Sequence, residues 1–134
     1  MKKLVFILFL ALSLFASDEK MQIFKPVSSS CPQDWLDKIK SDVNESVDVV
    51  SMIDMKALKR NVGIPKEIQS CNTSIYKDFV FEGNVPSLAI NDFLKNPVKN
   101  SIGLSLPAYE NDKETKTVFV IFEDKTFKEF GKYK

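Results

Sequence analysis

Two cysteines, Cys31 and Cys71, are the residues of this chain best suited to carry chemistry. The chain has no histidine. That removes imidazole metal ligation, Ser-His and Cys-His nucleophile pairs, and any histidine-based proton switch. The sulfur pair is the leading candidate for chemistry. Cys71 sits in a polar turn (Gln69, Ser70, Asn72, Thr73), and Cys31 stands at the start of a helix pattern. There a thiolate would gain from unpaired backbone donors and the helix dipole.

Three uses of the pair follow. A structural disulfide closing a loop of about forty residues would stabilise the fold by roughly 3–5 kcal/mol in the chain-entropy model. Two facing thiolates would suit Cu(I), which accepts sulfur ligands. Thiol–disulfide exchange would have Cys31 attack and Cys71 resolve. Against that last use, Cys31-Pro32-Gln33-Asp34 carries Asp34 where a Cys-x-x-Cys motif places its second sulfur. The acid is read first as a helix-start residue and second as a proton acceptor.

The elements that must position the sulfurs are legible in order. Residues 1–16 read as a signal peptide, with Lys2 and Lys3 before an apolar run and Ala16 at the cut. The run is too short to span a bilayer comfortably, so no stable membrane span is expected after removal. Residues 17–134 then form a single domain. The whole chain carries 19 basic and 18 acidic residues. Losing Lys2 and Lys3 leaves the charges interspersed and near balance, which offers nucleic acid no footprint. In an exported chain two cysteines default to a disulfide.

Residues 21–25 suit a first strand ended by Pro26. Pro32 and Asp34 open a helix whose buried stripe is Trp35, Leu36, Ile39 and Val43. Residues 47–53 read as a second strand. Asp54 caps a short helix that turns Met55, Leu58 and Val62 inward and closes at Gly63. Residues 73–76 and 79–82 flank Lys77-Asp78 as a hairpin. Residues 87–95 form a third helix stopped by Asn96-Pro97. Residues 102–107 read as half-extended, 108–116 as a polar loop, and 117–122 as a strand turned by Asp124-Lys125 into a last one. The fold class is α/β, a thioredoxin-like mixed sheet in β-α-β-α-β-β-α order with a C-terminal β-hairpin. Trp35 and the phenylalanines of strands four to six are read as core. Asn44-Glu45-Ser46 and Asn72-Thr73-Ser74 fit glycosylation sequons, as many chance triplets do.

Several motifs resemble a family of bacterial periplasmic metal-binding proteins associated with copper resistance. Val62-Gly63-Ile64-Pro65, Ser70-Cys71-Asn72-Thr73 and Glu82-Gly83-Asn84-Val85-Pro86 track its Val-Pro-x-x-Leu-x-Ser-Cys-His-Thr and Glu-Gly-His-Val-Pro elements. Lys25 and Trp35 frame the first cysteine loop at the family spacing. Gly103-Leu104-Ser105-Leu106-Pro107 resembles Gly-Leu-Ala-Val-Pro. The resemblance implies a thioredoxin-like fold, a periplasmic location and copper as Cu(I), held by Cys31 and Cys71. It also implies a metal ion or a thiol partner protein as the interaction partner. The chain departs from the family at the ligands. Ser29 and Pro32 stand in two of three first-loop cysteine places, Asn72 and Asn84 replace histidines, and Ala108-Tyr109-Glu110 replaces a methionine-bearing segment.

Overall fold

The computed structural model describes residues 19–28 and 33–134. The signal-peptide reading and Cys31 itself lie outside the described residues. Seven strands form one mixed sheet in the order β2-β1-β3-β4-β5-β6-β7. The strands are β1 (Met21–Pro26), β2 (Val47–Met52), β3 (Thr73–Tyr76), β4 (Phe79–Glu82), β5 (Ser101–Ser105), β6 (Lys116–Phe122) and β7 (Phe127–Tyr133). The helices are α1 (Gln33–Asp42), α2 (Met55–Val62) and α3 (Ser87–Lys95). β1 and β2 pair in parallel across α1, and β4 and β5 in parallel across α3. The other neighbours are antiparallel.

Each face of the sheet carries a packed cluster, and the period-two alternation of the strands sorts residues between them. Phe81, Val118 and Val120 meet Ile39 of α1 and Ala89, Ile90 and Phe93 of α3 in the larger cluster. Phe93 is the hub of its aromatics, edge-on to Phe79 at 4.9 Å, Phe130 at 6.0 Å and Phe81 at 6.1 Å. Val80 and Ile121 turn the other way, against Ile64 and Ile68 beyond the end of α2. Trp35, Leu36 and Val43 are half-buried against the larger cluster, as the stripe on α1 requires.

Local chemistry explains the boundaries. Asp54 accepts from the Ala57 N–H at 3.0 Å and caps α2. Lys77 and Asp78 both adopt positive φ (51° and 65°), so the two-residue hairpin takes the mirror-image turn that matches strand twist. Both sequon asparagines are engaged in the structure. Asn44 donates to the Glu19 carbonyl and accepts from the Ser46 N–H, and Asn72 is buried.

The observed order differs from the sequence expectation at one element. The half-extended stretch is a full strand, β5, inserted between β4 and β6 and so near the middle of the sheet. Its register shifts between Ser101 and Gly103. The bulge resets the alternation: Ile102 packs with the smaller cluster while Leu104 packs with the larger one. The last two strands pair antiparallel with each other and extend the sheet from β5.

Candidate functional site

Strand directions bring four connections to one end of the sheet. β1 leaves the sheet there, opposite the entry of β3, because Phe24 pairs with Thr73. β4 ends there, because Thr73 pairs with Glu82, and β5 ends beside it, Glu82 against Ser105. The Cys71 turn, the loop after Glu82 and the segment after Ser105 therefore share this end with the end of β1 at Pro26.

Hydrogen bonds lock the loops together. The Gly83 N–H donates to the Asn72 carbonyl at 2.7 Å, and the Leu106 N–H to the Glu82 carbonyl at 2.9 Å. The Ala108 N–H reaches the Gln69 carbonyl at 3.3 Å. The Trp35 indole donates to the Val85 carbonyl at 2.7 Å and ties the first turn of α1 to the same cluster. Gly83 is required by this crowding. At φ +77° a Cβ would sit 2.5 Å from the Leu106 carbonyl oxygen and 2.7 Å from the Ser70 Cβ.

Beneath the Cys71 turn lies a buried polar group that composition did not reveal. Lys59, on α2, forms an ion pair with Glu82, on β4, and both side chains are almost wholly removed from solvent. One Glu82 oxygen accepts the Ser70 N–H at 2.8 Å, and the other accepts the Thr73 hydroxyl at 2.6 Å. The Lys59 ammonium also donates to Thr73 Oγ1 at 2.9 Å. Burial pushes the Glu82 carboxyl up from its ordinary value, while the Lys59 charge and these hydrogen bonds pull it back only in part. The sequence signal was available, since Lys59 follows Met55 by four positions and shares its buried helix face. The ordinary preference of lysine for solvent hides it.

Cys71 is half-buried in its turn, as the sequence places it. Whether Cys31 meets it is outside the described residues, although both flanks of the Cys31 segment are anchored at this end. Asp34 is exposed in the first turn of α1, an unremarkable helix-start acid. Asn72 donates through its side chain to the Gly83 carbonyl at 3.3 Å, and its own Oδ1 has no protein partner. Asn84 likewise keeps a buried Oδ1 without one. Glu110 is buried in a short 3-10 turn, where one oxygen accepts the Thr117 N–H at 2.6 Å and the other pairs with Lys113. The Lys113 contact holds its carboxyl below the usual value. Both oxygens are thus committed to local structure.

Among the described residues no group of three or more His, Cys, Asp or Glu side chains is placed to hold a metal. Amide oxygens are hard donors and make poor replacements for imidazole toward a soft ion.

The architecture itself has known counterparts. It is shared with copper resistance protein copG. Form 2 of that protein superposes with a TM-score of 0.68 at 20% sequence identity, covering 87% of this chain and 98% of that one. Form 1 gives 0.67 at 18% identity, covering 85% and 96%. Likeness at this identity shows the fold, over nearly the whole length of both chains. No protein-family model matches the sequence, and no curated protein matches it. Among the described residues no helix is long and apolar enough to cross a membrane.

Proposed function

We propose that this chain is an exported, diverged relative of the copper-resistance proteins, thioredoxin-like in fold, that binds Cu(I) through Cys31 and Cys71. The observation that carries the reading is the convergence at one sheet end of the Cys71 turn and both flanks of the Cys31 segment. Further support comes from Cys71, which is disulfide-bonded, in a chain with one other cysteine. The name of the structural neighbours adds copper as the cargo.

In the oxidised protein the pair is a disulfide. Reduction gives two thiols, and Cu(I) replaces their protons to form a two-sulfur complex, a geometry a soft d¹⁰ ion accepts. The absence of histidine makes this a smaller donor set than the family pattern implies, suited to about one Cu(I) per chain. The disulfide also favours a second reading, thiol–disulfide exchange with a partner protein, in which the same two sulfurs cycle electrons.

Titrating the fully reduced chain with Cu(I) against a colorimetric chelator separates these readings. The expected result is uptake of about one equivalent by the native chain and none by Cys31→Ser or Cys71→Ser. Uptake that survives either substitution places the metal elsewhere. No uptake by the native chain, with turnover of a model disulfide, establishes the exchange reading instead.

A further inference from the structure

We propose that the buried side chain of Glu82, its charge balanced by Lys59, is the positioning element of the sulfur site, clamping the turn on both sides of Cys71 in the geometry its disulfide needs. This rests on the reading of Cys31 and Cys71 as the functional pair. The two oxygens of Glu82 hold the Ser70 N–H and the Thr73 hydroxyl, the residues that bracket Cys71-Asn72. Gly83, next in sequence to Glu82, holds Asn72 through both its main chain and its side chain. Three of the four residues from Ser70 to Thr73 are thereby tied to the dipeptide Glu82-Gly83 at the end of β4. Cys71 is carried between them with its backbone fixed on each side.

Lys59 supplies the counter-charge that a buried carboxylate needs. It pairs with the Glu82 oxygen that receives Ser70 and donates to the Thr73 hydroxyl, linking both arms to α2. A buried ion pair is weak evidence for stability, because well-packed apolar replacements are often neutral or stabilising. Its presence under the Cys71 turn therefore calls for another account. Holding a turn through two oxygens at once is something no apolar side chain can do.

The test is equilibration of the purified full chain with glutathione. Two glutathione molecules supply two electrons and two protons: the protein S–S bond breaks, glutathione disulfide forms, and Cys31 and Cys71 become thiols. The position of this equilibrium reports how well the fold holds its sulfurs together. In Glu82→Leu/Lys59→Met, which is buried and apolar but has no clamp, the expected shift toward the dithiol is at least about tenfold, or about 30 mV for a two-electron couple. In Glu82→Gln/Lys59→Met the amide still accepts from Ser70 and donates to Thr73, so the equilibrium is expected to stay within about threefold of the native chain.

Equal behaviour of the two double variants, whether both native-like or both shifted, overturns the proposal. Should the apolar pair fail to fold, Thr73→Val removes one arm and carries the same test, with a shift in the same direction expected and none overturning it. A native chain whose cysteines do not exchange with glutathione as a pair removes the underlying reading itself, an outcome distinct from native exchange with unshifted variants.

Discussion

Replacing Gly103 with alanine is expected to cost more than about 4 kcal/mol, enough to unfold a domain of ordinary stability. Gly103 has φ +153°, and a Cβ there would lie 1.7 Å from the Val80 carbonyl oxygen and within 2.8 Å of two further Val80 backbone atoms. The obstacle is the main chain of the paired strand, not a side chain that can swing away. β5 cannot retreat either, because β6 holds its other edge. The alanine variant must open the β4–β5 pairing, and with it the Leu106 N–H bond to the Glu82 carbonyl that closes the site. Circular dichroism with urea titration checks this: the native chain gives a cooperative transition, and the variant is expected to start largely unfolded at 25 °C. An unfolding free energy within about 1 kcal/mol of native would mean that Gly103 does not face Val80 as described.

The second large effect is expected from Lys59→Met alone. Removing one partner of a buried pair leaves the other uncompensated, at a cost of about 3–5 kcal/mol. The loss should depend on pH with a defined sign. Burial already raises the folded-state value of Glu82 above 4.5, and removing the ammonium raises it further. Between 4.5 and that raised value the folded state binds more protons than the unfolded one, so stability falls as pH rises, by at most about 1.4 kcal/mol per pH unit. The penalty is complete above the folded-state value and disappears as pH falls to the unfolded one. Urea midpoints of native and variant chains from pH 4.5 to pH 8 test this. The gap between them should widen with pH, and a gap independent of pH would show that Glu82 does not carry the effect.

The sequence discloses those parts of the fold that depend on local chemistry. The 73–76 and 79–82 hairpin and the 87–95 helix stand where alternation, turn residues and Asn96-Pro97 put them. β5 was hidden because Ser101-Ile102-Gly103-Leu104-Ser105 contains a glycine and changes face at a bulge, so its alternation breaks where a strand pattern is sought. Glu110 was hidden in a stretch that reads as solvent-facing, since burial of a carboxylate depends on partners, Thr117 and Lys113, that only the folded chain supplies.

The candidate site divides in the same way. The Cys71 turn was legible from its polar neighbours and from the strand that follows. The Lys59–Glu82 clamp was not, because its two halves lie 23 positions apart and each residue type ordinarily faces water. Tertiary pairing of β3 with β4, together with the path of α2 over that face, brings them together.

The most direct measurement is disulfide mapping of the purified full chain, alkylated before reduction, digested and read by mass spectrometry. One cross-linked species joining the peptide of Cys31 to the peptide of Cys71 within a single chain is the predicted result. Two separately alkylated cysteines, or a bond between chains, would contradict the account.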